Sequence, residues 1–208
     1  MKGAAPVSSP LFNPHPLATD RMPSIVEQLL ACGAVKFGDF TLTSGAKSRY
    51  YVDVKAASTD PSTLKAIAHK MSQLAARNGP FDAVAGMELG AVPLATAVSL
   101  EANLPMLIIR KGERKHGTGK RIEGKATRGL NVFVVEDVTT SGKSTLEAVE
   151  VLRAAGATVE YACVVVDRES GAIDALKEAK VHLDALASVS QLLDTPEARR
   201  MLKPGATA

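Results

Sequence analysis

From residue 61 onward, short runs of apolar residues alternate with stretches of helical periodicity, and this alternation restricts the fold more than any other feature. The spacing predicts helices at 61–77, 91–102, 142–155 and 171–180. It predicts strands at 81–85, 106–109, 131–136 and 158–166, then a last short strand and a C-terminal helix. VFVV at 132–135 and ACVVV at 162–166 are continuously apolar, the pattern of strands buried on both faces. Such strands separated by amphipathic helices imply βαβ units, hence an α/β fold with a parallel sheet flanked by helices. Ligands of these sheets bind beyond the carboxyl ends of the strands. That rule selects 86–93, 110–128, 136–144 and 167–169, all of which carry glycine, polar or charged residues.

The first 60 residues read differently. Residues 1–22 are rich in Pro, Ala and Ser and lack the apolar core of a signal peptide, so a poorly ordered tail is expected. A helix is expected at 23–32, with Ile25, Val26, Leu29 and Leu30 as its stripe, Pro23 in the first turn and Gly33 at the C-cap. FGDFTLTSG at 37–45 and RYYVDVK at 49–55 read as two strands forming a small cap before the main sheet. A chain of 208 residues, 46% apolar and 23% charged, has the composition of one ordinary globular domain. No apolar stretch approaches the ~20 residues that span a bilayer. Cys32 and Cys163 have no zinc-type spacing, and two cysteines fit a reducing cytoplasm.

Charge is concentrated. Residues 110–128 hold eight Lys or Arg against Glu113 and Glu123, giving +6 within a chain of net +3. The rest is therefore −3. A compact basic segment on a slightly acidic body suits a small polyanion, with a solvated basic loop as the alternative. It does not suggest a nucleic-acid surface.

The strongest chemical signal is VFVVEDVTTSGKST at 132–145. A buried strand delivers Glu136 and Asp137 to its end, then hydroxyl residues and one glycine precede a helix. Free N–H groups at a helix start favour a phosphate dianion. Thr139, Thr140, Ser141 and Ser144 add hydroxyls, and Gly142 permits close approach. The two acids would repel phosphate, so they suit sugar hydroxyls or a metal-bound phosphate ester. A Walker A loop is excluded, because Asp137 stands where its first glycine belongs.

EDVTTSGKS resembles the phosphoribosyl-pyrophosphate (PRPP) motif of type I phosphoribosyltransferases. FTLTSGAKSRYYVDVK at 40–55 and RKGERKHGTGKRIEG at 110–124 resemble the N-terminal segment and mobile catalytic loop of the orotate phosphoribosyltransferases. Asp167-Arg168 follows a buried strand, where that family has an arginine for the orotate carboxylate. The resemblance implies a type I phosphoribosyltransferase-like parallel sheet with a small N-terminal cap, or hood, from about 23–60 plus the C-terminal segment, and a PRPP-binding core at about 61–167. It implies transfer of a phosphoribosyl group from PRPP to orotate, giving orotidine 5′-monophosphate in pyrimidine biosynthesis. PRPP would meet Arg110, Lys111, Arg114, Lys115, His116, Glu136, Asp137, Val138, Thr139, Thr140, Ser141, Gly142, Lys143 and Ser144. Lys111, Arg114, Lys115, His116 and Asp137 would be the catalytic set, and Thr140 and Arg168 would meet orotate. Mg²⁺ would be held mainly by PRPP, with no protein metal cage. A cytoplasmic homodimer follows from the same resemblance, its loop reaching the neighbouring site, with no nucleic-acid or membrane partner.

The chain departs from the family pattern at Thr43 and Leu89, where many members carry Lys; Lys47 is a nearby cation. Rival readings are transfer to another nucleobase and a non-catalytic PRPP sensor. The retained basic loop favours the enzyme. Residues 88–90 suit a pyrophosphate-binding turn. Tyr50 and Tyr51 are expected to pack or to flank the base, Cys163 to lie in the core, and His15, His69 and His182 to be ordinary residues without partners.

Overall fold

The computed structural model describes residues 23–41, 45, 47–112, 121–125 and 128–202. The tail, Thr43 and most of the basic loop, including Arg114, Lys115 and His116, lie outside these.

Helix starts follow local capping chemistry. In α1 (Ile25–Ala31), Ser24 Oγ accepts from Glu27 N–H, and Glu27 accepts from Ser24 N–H at 2.6 Å. This reciprocal box makes Ser24 the N-cap, so Pro23 stands before the helix and not in its first turn as expected, and Cys32 rather than Gly33 is the C-cap. β1 (Val35–Thr41) and β2 (Lys47–Val52) form a separate antiparallel pair. The second cap strand stops earlier than expected. Asp53 N–H turns back to Ala34 O at 2.7 Å, and residues 54–59 form α2 (Val54–Thr59), which buries Val54, Ala57 and Ser58. In α3 (Pro61–Asn78), Asp60 Oδ1 accepts from Thr63 N–H at 2.8 Å and Pro61 occupies the first turn.

The rest is β3 (Ala83–Met87), α4 (Ala91–Ala102), β4 (Met106–Ile109), β5 (Ile122–Glu123), β6 (Asn131–Thr139), α5 (Lys143–Ala154), β7 (Thr158–Asp167), α6 (Ala172–Glu178), β8 (His182–Ser188), α7 (Val189–Leu193) and α8 (Pro196–Met201). The main sheet has the order β5-β4-β3-β6-β7-β8. All its neighbours are parallel except β4 and β5. The expected α/β architecture is therefore present. β5 was not anticipated: two residues of the basic segment, Ile122 and Glu123, return antiparallel to β4.

Successive strand residues face opposite sides, so the sheet has two cores. Val84, Phe133, Val135, Cys163 and Val165 pack with α1, α3 and α4 residues. Ala85, Val132, Val134, Ala162 and Val164 pack with α5 and α6. α5 shows why it sits there: Thr145, Ala148, Val149 and Leu152 recur at helical spacing and are all buried. Cys163 is fully buried, as expected. At the amino ends of the strands, Phe81, Phe133 and Tyr161 stack with ring centroids 5.4–5.9 Å apart.

From β3 the chain moves to β4 on one side. It then returns to β6 on the other side of β3. The strand order thus reverses between β3 and β6, and the crevice above their carboxyl ends is the place this topology provides for a ligand.

Candidate active site

β6 runs three residues beyond its expected end because β7 runs with it: Val138 pairs with Val166 and Thr139 with Asp167. Glu136 and Asp137 therefore lie within the strand, on opposite faces. Glu136 is only 6% exposed. Burial foremost, then the negative charge of Asp137, pushes its carboxyl up to about 8, against a partial opposing effect from the Ser144 hydroxyl. Asp137 is half-buried; its Oδ1 accepts from Val138 N–H at 2.8 Å. Its Oδ2 lies against Gly90, where an added Cβ would stand only 2.1 Å away. The 88–90 turn after β3 is thereby seated directly on the acid pair, and the Glu88–Leu89 peptide within it is cis.

After Thr139 the chain turns into α5 through Gly142, whose φ of +79° suits glycine. No side chain caps this helix, so its first-turn N–H groups face the loop. A cavity of about 350 Å³ lies there, lined by residues 138–144 together with Lys111 and Glu147. Thr140, Ser141 and Lys143 are exposed. Thr139 is 2% exposed, and its buried hydroxyl has no protein partner. A larger cavity, about 560 Å³, lies between β5 and α5. It is lined mostly by small or apolar groups and has no hydroxyl in its lining, unlike the cavity at residues 138–144, so the smaller one is the better phosphate site.

Lys111 reaches the cavity because its backbone is held. Its N–H donates to Glu88 Oε1 at 2.8 Å, and Arg110 lies 3.9 Å from the other Glu88 oxygen and 3.2 Å from Glu123. The far stem of the basic segment is also tied: Arg121 donates to Arg110 O at 3.0 Å and pairs with Glu147. Arg168 stands at the end of β7, with its N–H on Thr139 O at 3.0 Å. The described parts of the four segments selected by the strand-end rule thus meet at the carboxyl end of the sheet. Lys111, Glu136, Asp137 and residues 138–144 are gathered at or beside the cavity, with Arg110 and Arg168 at the adjoining strand ends. Lys47 instead bonds Thr41 within the cap at 2.7 Å.

A family model described as the phosphoribosyl transferase domain matches residues 54–191. The orotate phosphoribosyltransferase of Methanosarcina mazei is 54% identical over 169 residues, covering 81% of this chain and 90% of that protein. The chain belongs to the orotate phosphoribosyltransferases. The orotate phosphoribosyltransferase structure from Aeropyrum pernix is 33% identical, with a TM-score of 0.75, covering 82% of this chain and 96% of that one. The Mycobacterium tuberculosis orotate phosphoribosyltransferase solved in complex with PRPP is 30% identical, with a TM-score of 0.69, covering 82% and 99%. The chain is accordingly an enzyme of the phosphoribosyltransferase class, with the α/β architecture of its relatives.

Some features of the site do not show in the sequence. The sequence suggests a pyrophosphate-binding turn at 88–90, but not that Glu88 anchors the basic segment. Two histidines expected to lack partners have them: His69 Nδ1 lies 2.9 Å from Glu101, and His182 Nε2 lies 3.1 Å from Asp184 while the ring stacks on Tyr161. Both lie outside the cavity just described. Tyr51 is exposed and packs against Phe40 in the cap, ring centroids 5.7 Å apart. Among the described residues, no group of three or more His, Cys, Asp or Glu is placed to hold a metal ion. No described helix is long and apolar enough to cross a membrane.

Proposed function

We propose that the crevice between β3 and β6 transfers the phosphoribosyl group of PRPP to N1 of orotate, releasing pyrophosphate and orotidine 5′-monophosphate. The observation that carries this reading is the seating of the 88–90 turn on Asp137, directly before the 138–144 phosphate cradle. A 5-phosphate on the start of α5 and a pyrophosphate by the 88–90 turn place the ribose over the acid pair. Asp137 then accepts from ribose hydroxyls. Burial pushes the Glu136 carboxyl up, which lessens the second negative charge facing the polyanion.

As the C1–O bond breaks, positive charge develops on the ribose and negative charge on the departing pyrophosphate. Lys111 and Arg110, with Arg114, Lys115 and His116 of the same segment, supply the cations that stabilise the leaving group. Thr140 and Arg168 hold the base, the guanidinium forking onto the orotate carboxylate. The substrate is the magnesium complex of PRPP. Among the described residues no cluster of three or more His, Cys, Asp or Glu could hold a metal, which fits an ion carried by substrate phosphates, with the Glu136-Asp137 pair available to its ribose side. The basic segment springs from the β4–β5 sheet edge, a position suited to reaching a second copy in a homodimer. Unpaired Cys32 and Cys163 suit a cytoplasmic location.

The deciding experiment incubates the enzyme with PRPP, Mg²⁺ and, separately, orotate, uracil, adenine and hypoxanthine, and measures pyrophosphate release and nucleotide formation. Orotate alone is expected to be converted rapidly. Preferential conversion of another base would replace orotate as the acceptor, and PRPP binding without turnover of any base would identify a sensor.

A further inference from the structure

The sequence places Arg168 between two carboxylates, Asp167 and Glu169. An arginine so flanked has two obvious partners for its guanidinium. Neither takes it. Asp167 is buried, and its Oδ1 accepts the N–H of Glu169 at 2.9 Å. Glu169 turns the other way: its Oε2 accepts Ser190 N–H at 2.9 Å and its Oε1 accepts Ser190 Oγ at 2.8 Å. These bonds hold the Glu169 carboxyl below its usual range. No ion pair joins Arg168 to any carboxylate among the described residues.

The turn is shaped for this diversion. Glu169 has φ +54°, a left-handed conformation that non-glycine residues rarely adopt. A residue held there marks a turn whose surroundings determine it. The surroundings are specific. Arg168 N–H is on Thr139 O, at the mouth of the phosphate cradle. Ser170 Oγ donates to Arg168 O at 3.1 Å. Ala172, at the start of α6, packs on Gly142, where an added Cβ would meet it at 3.4 Å. Ser190, on the other side, belongs to α7 in the C-terminal segment.

We propose that Glu169 is a positioning residue for acceptor recognition: its clasp on Ser190 fixes the turn after β7 and keeps the guanidinium of Arg168 free for the carboxylate of the incoming base. This rests on the reading of Arg168 as the base-carboxylate ligand. A Glu169 released from Ser190 would act twice against orotate, by loosening the turn and by competing for the guanidinium.

The test compares Arg168→Ala, Glu169→Ala, Glu169→Gln and the Arg168→Ala/Glu169→Ala double variant, with orotate and PRPP varied separately in steady-state kinetics. Glu169→Ala is expected to raise the KM for orotate about tenfold, the cost of roughly one charge-assisted hydrogen bond. The KM for PRPP should stay within about twofold. Glu169→Gln, which can still accept from Ser190 N–H and donate to Ser190 Oγ, should restore most of the orotate KM. A Glu169 that works through Arg168 adds no further loss in the double variant. An unchanged orotate KM in Glu169→Ala, while Arg168→Ala is damaged, overturns the positioning role and leaves Arg168 in the base site. An unchanged orotate KM in Arg168→Ala overturns the base-site reading and the inference with it. Equal rises in the KM values for orotate and PRPP, or additive losses in the double variant, assign Glu169 to general structure instead.

Discussion

Glu136 and Asp137 are adjacent in the chain, yet one faces the protein interior and the other the crevice. Their difference is testable through pH. A carboxyl whose folded-state pKa is raised contributes stability fully below its unfolded value of 4.5, and loses it as pH rises toward about 8. Wild-type stability should therefore fall across that window relative to Glu136→Gln, by up to a few kcal/mol. Urea unfolding at several pH values measures this, and parallel pH profiles for the two proteins would contradict it. Asp137→Asn, by contrast, should keep the fold and lower kcat/KM for PRPP by about 10–100-fold, the worth of a charged hydrogen bond. Near-normal kcat/KM in the folded variant would remove Asp137 from the ribose site. The identity of the acidic pair was legible in the sequence because two acids ending an apolar run need a reason. Their opposite environments were not, since these depend on how far β7 extends alongside β6. His69 and His182 escaped for a related reason: the Glu101 partner of His69 lies 32 residues away, and Asp184, two residues from His182, reads locally as ordinary strand spacing.

At the scale of elements, long amphipathic helices and apolar strands were readable, and short or polar elements were not. α4 and β4 have their expected limits. α2 was hidden because Val54, Ser58 and Thr59 are poor helix formers, and its N-cap residue Asp53 makes no side-chain capping bond. β5 was hidden because two residues inside a basic run carry no periodicity. The turn joining β3 to α4 depends on one close contact, which gives a direct prediction. Gly90→Ala puts a Cβ into the space held by the Asp137 carboxylate. The variant should raise the KM for PRPP and lower stability by about 1–3 kcal/mol, as overpacking does. Thermal unfolding and PRPP-dependent kinetics test both parts; a wild-type KM would show that the turn can shift without disturbing the site.

For the whole molecule, the site is assembled from segments far apart in sequence, and the described residues 110–112 and 121–123 of the basic segment lie at a sheet edge. Lys111→Ala should lower kcat more than it weakens PRPP binding, because a cation acting on developing charge matters most in the transition state. A loop that serves a neighbouring subunit adds a second expectation. Mixing Lys111→Ala with Asp137→Asn chains should restore activity, since a mixed dimer holds one site with both residues intact. Co-refolding, with native mass spectrometry to verify mixed dimers, measures this; inactive mixed dimers would confine each site to one chain.

Ile108 and Ile109 pair with Glu123 and Ile122, and Arg110 N–H meets Arg121 O at 2.9 Å. The chain therefore re-enters the sheet beside its own point of departure. The distance to be bridged is set by the sheet, not by the number of residues between, and added length costs only slowly rising closure entropy. A polypeptide severed within that interval would still meet its other half along the whole β3–β6 ladder as well as at β4–β5. Two pieces divided there are expected to recombine through these ladders, and co-purification of one with the other would measure it.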